Sequence, residues 1–123
     1  MTTEGEEFAH ALAARDSAAL QAVLAEEVDF AALTPGRHWT ATDPAEIVDD
    51  VIFGHWFGPG RKILELCAVT TGRVADCGHV TYRLRVERDG VDHLVEQQAY
   101  YTARNGEIDW LRVLCSGYRP LAG

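Results

Sequence analysis

The sequence predicts an α+β domain in which three N-terminal helices pack on one face of a curled antiparallel sheet. Three observations carry that prediction. Apolar residues follow helical spacing in the first half of the chain, and long runs rich in β-branched and aromatic residues take over from Lys62 onward. Those runs are joined by Asp89-Gly90 and Asn105-Gly106, dipeptides that favour the positive φ angles of tight hairpin turns. The sheet must bury one face, and the helices are the layer that can cover it.

Taken in order, Phe8, Ala11 and Leu12 share a face of the first helix. Asp16 or Ser17 can cap a second, with Leu20, Val23, Leu24 and Val28 at helical spacing. A brief extended piece follows near Val28 to Leu33, and "TPG" turns the chain. In "DPAEIVDDVIFG" Asp43 suits the N-cap and Pro44 the first helical position, Glu46 completes a capping box, and Gly54 lies where the helix should stop. The runs "KILELCAVTTGR", "HVTYRLRVER", "VDHLVEQQAYYTAR" and "EIDWLRVLCSG" then form an antiparallel meander. There is no internal repeat, low-complexity tract or linker, so residues 1–123 read as one domain.

Composition removes several function classes. A formal net charge of −8, with 11 basic residues scattered along the chain, offers no footprint for nucleic acid or an anionic membrane. The acidic N-terminus lacks the apolar core of a signal peptide, and no apolar run approaches a membrane span. Cys67, Cys77 and Cys115 are odd in number and lack metal-knuckle spacing, which suits reduced thiols in a cytoplasmic protein. The histidines His10, His38, His55, His79 and His93 form no metal-binding pattern, so neither metal nor cofactor is implied. "GPGRK" at Gly58 to Lys62 lacks the spacing of a phosphate loop and leads into a strand rather than a helix.

The stretches "FAHALAARDSAALQAVLAEEVDF", "DPAEIV" and "NGEIDWLRV" together resemble the SnoaL-like branch of the nuclear transport factor 2 superfamily across nearly the whole chain. The resemblance implies a cone-shaped, cystatin-like α+β fold whose concave side encloses an apolar pocket, used by isomerases, cyclases, hydrolases and noncatalytic binders alike. The positions where ketosteroid isomerases carry a tyrosine, an aspartate base and an aspartic acid hold Phe8, Ala32 and Gln98 here. That mechanism lacks its base. The Asp-Arg-Asp set of limonene epoxide hydrolases is also incomplete, with Arg83 and Asp109 on strands and no second aspartate.

If Gln98 points into the cone, so do Leu94, Glu96, Tyr100 and Thr102, because side chains alternate along a strand. With Val80, Tyr82, Leu84 and Val86 beside them, and Leu111, Val113 and Cys115 on the last strand, this parity describes an apolar cavity for an apolar small molecule. Glu96 is then the candidate acid or base, and Gln98, Tyr82 and Tyr100 orient or polarise an oxygen. An ion pair with Arg83 or Arg112 would instead hold Glu96 ionised and inert. Trp39 and Trp56 could gate the open end or fill the bottom of the core, and Cys115 reads as a small hydrophobe in the wall.

The same parity turns Val95, Gln97, Ala99, Tyr101, Ile108, Trp110, Arg112 and Leu114 to the outer face. So apolar a surface predicts a homodimer joined through the outside of the sheet, unless the C-terminal "YRPLAG" folds back over it. A noncatalytic binding or assembly module is therefore the competing function.

Overall fold

The computed structural model describes residues 2–121 as an α+β fold built on one seven-stranded sheet. Helix α1 spans Glu4–Ala13 and α2 spans Ser17–Ala22, followed by β1 (Leu24–Thr34) and β2 (Arg37–Ala41). A π-helix covers Glu46–Trp56. The remaining strands are β3 (Arg61–Val74), β4 (Cys77–Arg88), β5 (Val91–Arg104), β6 (Glu107–Cys115) and a short β7 (Arg119–Pro120). The sheet runs β2-β1-β6-β5-β4-β3, with β7 against the start of β5. All its ladders are antiparallel except β1 with β6, where a parallel pair interrupts the expected antiparallel pattern.

The helix ends follow their local chemistry. Thr3 and Glu6 form a reciprocal capping box on α1, and the Asp16 carboxylate accepts from the Ala19 N–H to cap α2. The second helix is shorter than its apolar spacing suggests. It stops at Ala22, and Leu24 and Val28 are buried on β1, where alternation rather than helical spacing places them.

Asp43 accepts from the Ala45 N–H at 3.1 Å and starts the third helix, yet Gly54 does not end it. The helix continues to Trp56 in the π form, with Phe57 N–H donating to the carbonyl of Ile52 five residues back. A Cβ on Gly54 would stand 2.8 Å from the Asp49 carbonyl oxygen, so the glycine relieves crowding inside this wider helix.

The core lies between the helices and one face of the sheet. Phe8 packs on Tyr82 with ring centroids 6.2 Å apart, and the Gly5 N–H donates to the Tyr101 hydroxyl at 3.0 Å, which identifies the helix-covered face. Val80, Tyr82, Leu84 and Val86 on β4 are fully buried there. On β5 the residues facing them are Val95, Gln97, Ala99 and Tyr101, with register pairs Tyr82 to Gln97 and Val80 to Ala99.

The parity expected for β5 is therefore inverted. Glu96, Gln98, Tyr100 and Thr102 lie on the outer face, because the two-residue turn at Asp89 and Gly90 pairs Arg88 with Val91 and sets every later pair. On β6, Leu111, Val113 and Cys115 share the inner side, and Trp110, Arg112 and Leu114 the outer side, as expected. Ile108 departs from its expected outward position and is buried, since a bulge between the Thr102 to Trp110 and Ala103 to Ile108 pairs resets the alternation.

Candidate functional site

An open-ended hollow of about 270 Å³ sits at the helix-covered side of the sheet, between the end of the π-helix, the β1–β2 turn and the C-terminal segment. Its size falls just below the range, about 300–1,000 Å³, that small-molecule sites usually occupy. β5 contributes Val95 and Gln97 to the wall, β6 contributes Cys115, and the π-helix delivers His55 and Trp56. Trp39 arrives from β2. Its indole N–H donates to Thr34 Oγ1 at 2.8 Å, and its ring meets Trp56 edge-on at 6.3 Å. Trp39, Trp56 and Cys115, all singled out from the sequence, thus stand together around one space.

Gln97 is the polar centre of this wall. Its side chain is wholly buried, the Tyr82 hydroxyl donates to its Oε1 at 2.5 Å, and its Nε2 has no hydrogen-bond partner. In either orientation of the amide this pair retains an unused donor. Burial pushes the Tyr82 phenol well above its ordinary range, with Cys115 adding in the same direction, so Tyr82 remains a protonated donor. Trp56 presents a second buried N–H without a partner. Two buried donors beside one hollow are thus without a protein partner among the described residues, and an unmet buried donor is costly.

Tyr118 also lines the hollow. Its hydroxyl donates to the Trp56 carbonyl at 2.5 Å, and its ring packs against Phe57 and His93. Burial pushes this phenol up to about 12, opposed by the nearby guanidinium groups of Arg61 and Arg88. With Tyr118 turned inward, this part of the C-terminal "YRPLAG" contributes to the pocket rather than to a cover for the outer sheet. Ala122 and Gly123 lie outside the described residues.

The other expected site residues are elsewhere. Glu96 sits on the outer face with 41 % of its side chain exposed, paired to Arg83 at 3.1 Å, so it cannot reach the inner hollow. Gln98 Oε1 lies 3.3 Å from His79 Nε2, and Tyr100 stacks on the same imidazole at 4.7 Å, both on the outer face. Phe8 and Ala32 are buried in the core. Asp109 accepts from the Thr102 hydroxyl at 2.6 Å, away from this wall. Among the described residues no three His, Cys, Asp or Glu side chains gather where they could hold a metal ion, and no helix is long and apolar enough to cross a membrane.

A second hollow, of about 330 Å³, lies on the outer face and includes Leu33, His38, Tyr100, Arg112 and Leu114. It contains neither of the orphaned buried donors, so the inner hollow is the stronger candidate for a small-molecule site.

No known family description matches the sequence, and no curated protein is similar to it in sequence. Solved structures do match. A candidate polyketide cyclase from Pseudomonas putida superposes with a TM-score of 0.68 at 14 % identity, covering 92 % of this chain and 91 % of its own. A candidate isomerase from Bacillus subtilis gives 0.70 at 16 % identity, with 92 % and 84 % covered. A candidate ketosteroid isomerase from Kribbella flavida gives 0.64 at 14 % identity, with 98 % and 81 % covered. The chain has the nuclear transport factor 2-like fold that these isomerase- and cyclase-type structures share. At such identities the likeness establishes the fold and assigns no chemistry to individual residues.

Proposed function

We propose that this chain is a small-molecule pocket protein of the isomerase or cyclase type, whose inner hollow takes an apolar molecule through a carbonyl or similar oxygen. The observation that carries this is the Gln97 amide, fully buried in the cavity wall, held by Tyr82 and left with a free Nε2. Trp56 Nε1, at the end of the π-helix, is a second buried donor without a partner. Fixed N–H groups that need no reorganisation are the arrangement that stabilises charge developing on a substrate oxygen. Among the residues of this wall there is no carboxylate, so the proton-transfer role expected of Glu96 gains no support from geometry.

Titration with 2-undecanone, followed by tryptophan fluorescence and melting temperature, tests the proposal. Binding should raise the melting temperature, and Gln97→Met should weaken the ketone about tenfold while leaving the unsubstituted hydrocarbon unaffected. Saturating ketone that moves neither signal would refute it.

We also propose that two copies pair through the outer face of the sheet. Leu33 and Leu114 are register partners on β1 and β6, 54 % and 56 % exposed, and adjoin the Tyr100 and Arg112 hollow. The same face carries both signs, in the pairs Arg83 with Glu96 and Arg112 with Asp29, so a two-fold axis can set the patch against itself without stranding charge.

A further inference from the structure

Arg61 and Arg88 are direct register partners across β3 and β4, and both belong to the rim of the inner hollow. Like charges placed opposite one another destabilise a strand pair. Three arginines of the sheet are neutralised, Arg83 by Glu96, Arg85 by Glu65 and Asp92, and Arg112 by Asp29, whereas Arg37, Arg73, Arg104 and Arg119 also lack an ion pair among the described residues and none of them lines the inner hollow. Among the described residues neither Arg61 nor Arg88 enters an ion pair, although the chain has 19 acidic residues against 11 basic ones. Both guanidinium groups lean on the Tyr118 ring, at 5.4 Å and 4.6 Å from its centroid. Arg61 also donates to the His55 carbonyl at 2.6 Å, and Arg15 donates to the Arg61 carbonyl at 2.8 Å, which holds this corner in place. The "GPGRK" stretch that fails as a phosphate loop is the segment that carries Arg61 to the rim.

We infer that the ligand of the inner hollow is an apolar acid, whose anionic end is held at the rim by Arg61 and Arg88 while its apolar body lies against Trp39, Trp56 and Val95. This deepens the pocket reading above and rests on it. Guanidinium groups suit a carboxylate because they offer paired donors in a fixed plane, and such charge-assisted bonds are roughly twice as strong as neutral ones. An incoming anion would also relieve the repulsion between the two arginines.

Decanoic acid, methyl decanoate and 2-undecanone separate this inference from the reading beneath it. At neutral pH and low salt the full chain should bind decanoate about tenfold more tightly than either neutral compound. The preference should shrink as salt rises, because charges at a rim are screened. Arg88→Gln should remove the preference and leave 2-undecanone binding unchanged, and Arg88→Lys should restore part of it. Arg61→Gln is the second variant, read alongside its melting temperature because Arg61 also supports the His55 carbonyl. Equal affinity for all three compounds in the unaltered protein, or an Arg88→Gln variant that keeps the preference, overturns the anion inference while the pocket stands. Failure of every compound to bind overturns both.

Discussion

The Tyr82 hydroxyl donates to Gln97 Oε1 at 2.5 Å across the β4–β5 ladder, where the two residues are direct register partners. This one bond joins core to site. Removing the donor in Tyr82→Phe leaves the amide with both ends unpartnered and should lower stability by about 1–3 kcal/mol. Gln97→Met removes the orphaned Nε2 but leaves the Tyr82 hydroxyl without its acceptor, so it should cost less than Tyr82→Phe or nothing. Urea unfolding of the two variants checks the order. A Gln97→Met protein much less stable than Tyr82→Phe would show that the amide has a structural partner after all.

Glu96 gives the contrasting case. Its pair with Arg83 is more than a third exposed on both sides, and exposed pairs contribute between about zero and 1 kcal/mol. Glu96→Gln should therefore shift the melting temperature only slightly and leave binding in the inner hollow unchanged. A variant that loses ligand binding outright would return Glu96 to the site.

The difference between these residues was legible in the sequence, in a place other than the strand itself. "LVEQQAYY" alternates polar and apolar residues in both phases, so its composition does not say which set is buried. The turn does. Asp89 and Gly90 both adopt positive φ, Arg88 pairs with Val91, and six steps back along β4 and six along β5 set Tyr82 opposite Gln97. Once Val80, Tyr82, Leu84 and Val86 are placed inside, Gln97 must follow. The helix order and the hairpins were equally readable from spacing and turn chemistry, whereas the spacing of Leu24 and Val28 fitted a helix although both lie on β1. The bulge that turns Ile108 inward was not, nor was the inward course of Tyr118, since both depend on contacts between distant segments.

Stability should fall at alkaline pH for a reason built into the two buried phenols. A tyrosine whose folded value is raised binds its proton more tightly in the native state than in the unfolded chain. Its contribution is complete below about pH 10 and is lost as pH climbs through 12. Tyr118 should follow this course, and Tyr82, wholly buried, should ionise only on unfolding. The loss of stability between pH 10 and 12 should be shallower in Tyr118→Phe. A Tyr118→Phe variant that loses stability between pH 10 and 12 as steeply as the unaltered protein would contradict the burial of this phenol.

Helix α1 docks through the Tyr101 ring, which is held between two glycines. A Cβ on Gly5 would come within 2.9 Å of the ring, and one on Gly78 within 2.5 Å. These approaches are closer than side chains tolerate, so Gly78→Ala should cost about 1–3 kcal/mol through forced displacement of the ring. Removing the ring as well, in Gly78→Ala with Tyr101→Leu, should cost clearly less than the sum of the two single changes. Strict additivity in denaturant unfolding would mean that the glycine and the tyrosine do not share this contact.

The proposed pairing of two copies makes the most accessible prediction. Leu33 and Leu114 lie side by side, each more than half exposed, and Trp110 extends the patch along β6 with the Arg112 guanidinium 4.5 Å above its ring. Two adjacent leucines left this exposed suit an interface better than open solvent. The polar residues around it do not prevent self-association, because each arginine named there already has its carboxylate on the same sheet. Leu114→Glu places a charge at the centre of the patch and, under two-fold symmetry, near its own copy, where like charges repel. Sedimentation at micromolar concentration should give twice the chain mass for the unaltered protein and the single mass for Leu114→Glu, with the melting temperature of the variant then independent of ligand-free dilution. Gln97→Met, on the opposite face, should leave the mass unchanged. If the unaltered protein sediments as a monomer, the exposed pair is not a self-association surface and the pocket proposal stands without it.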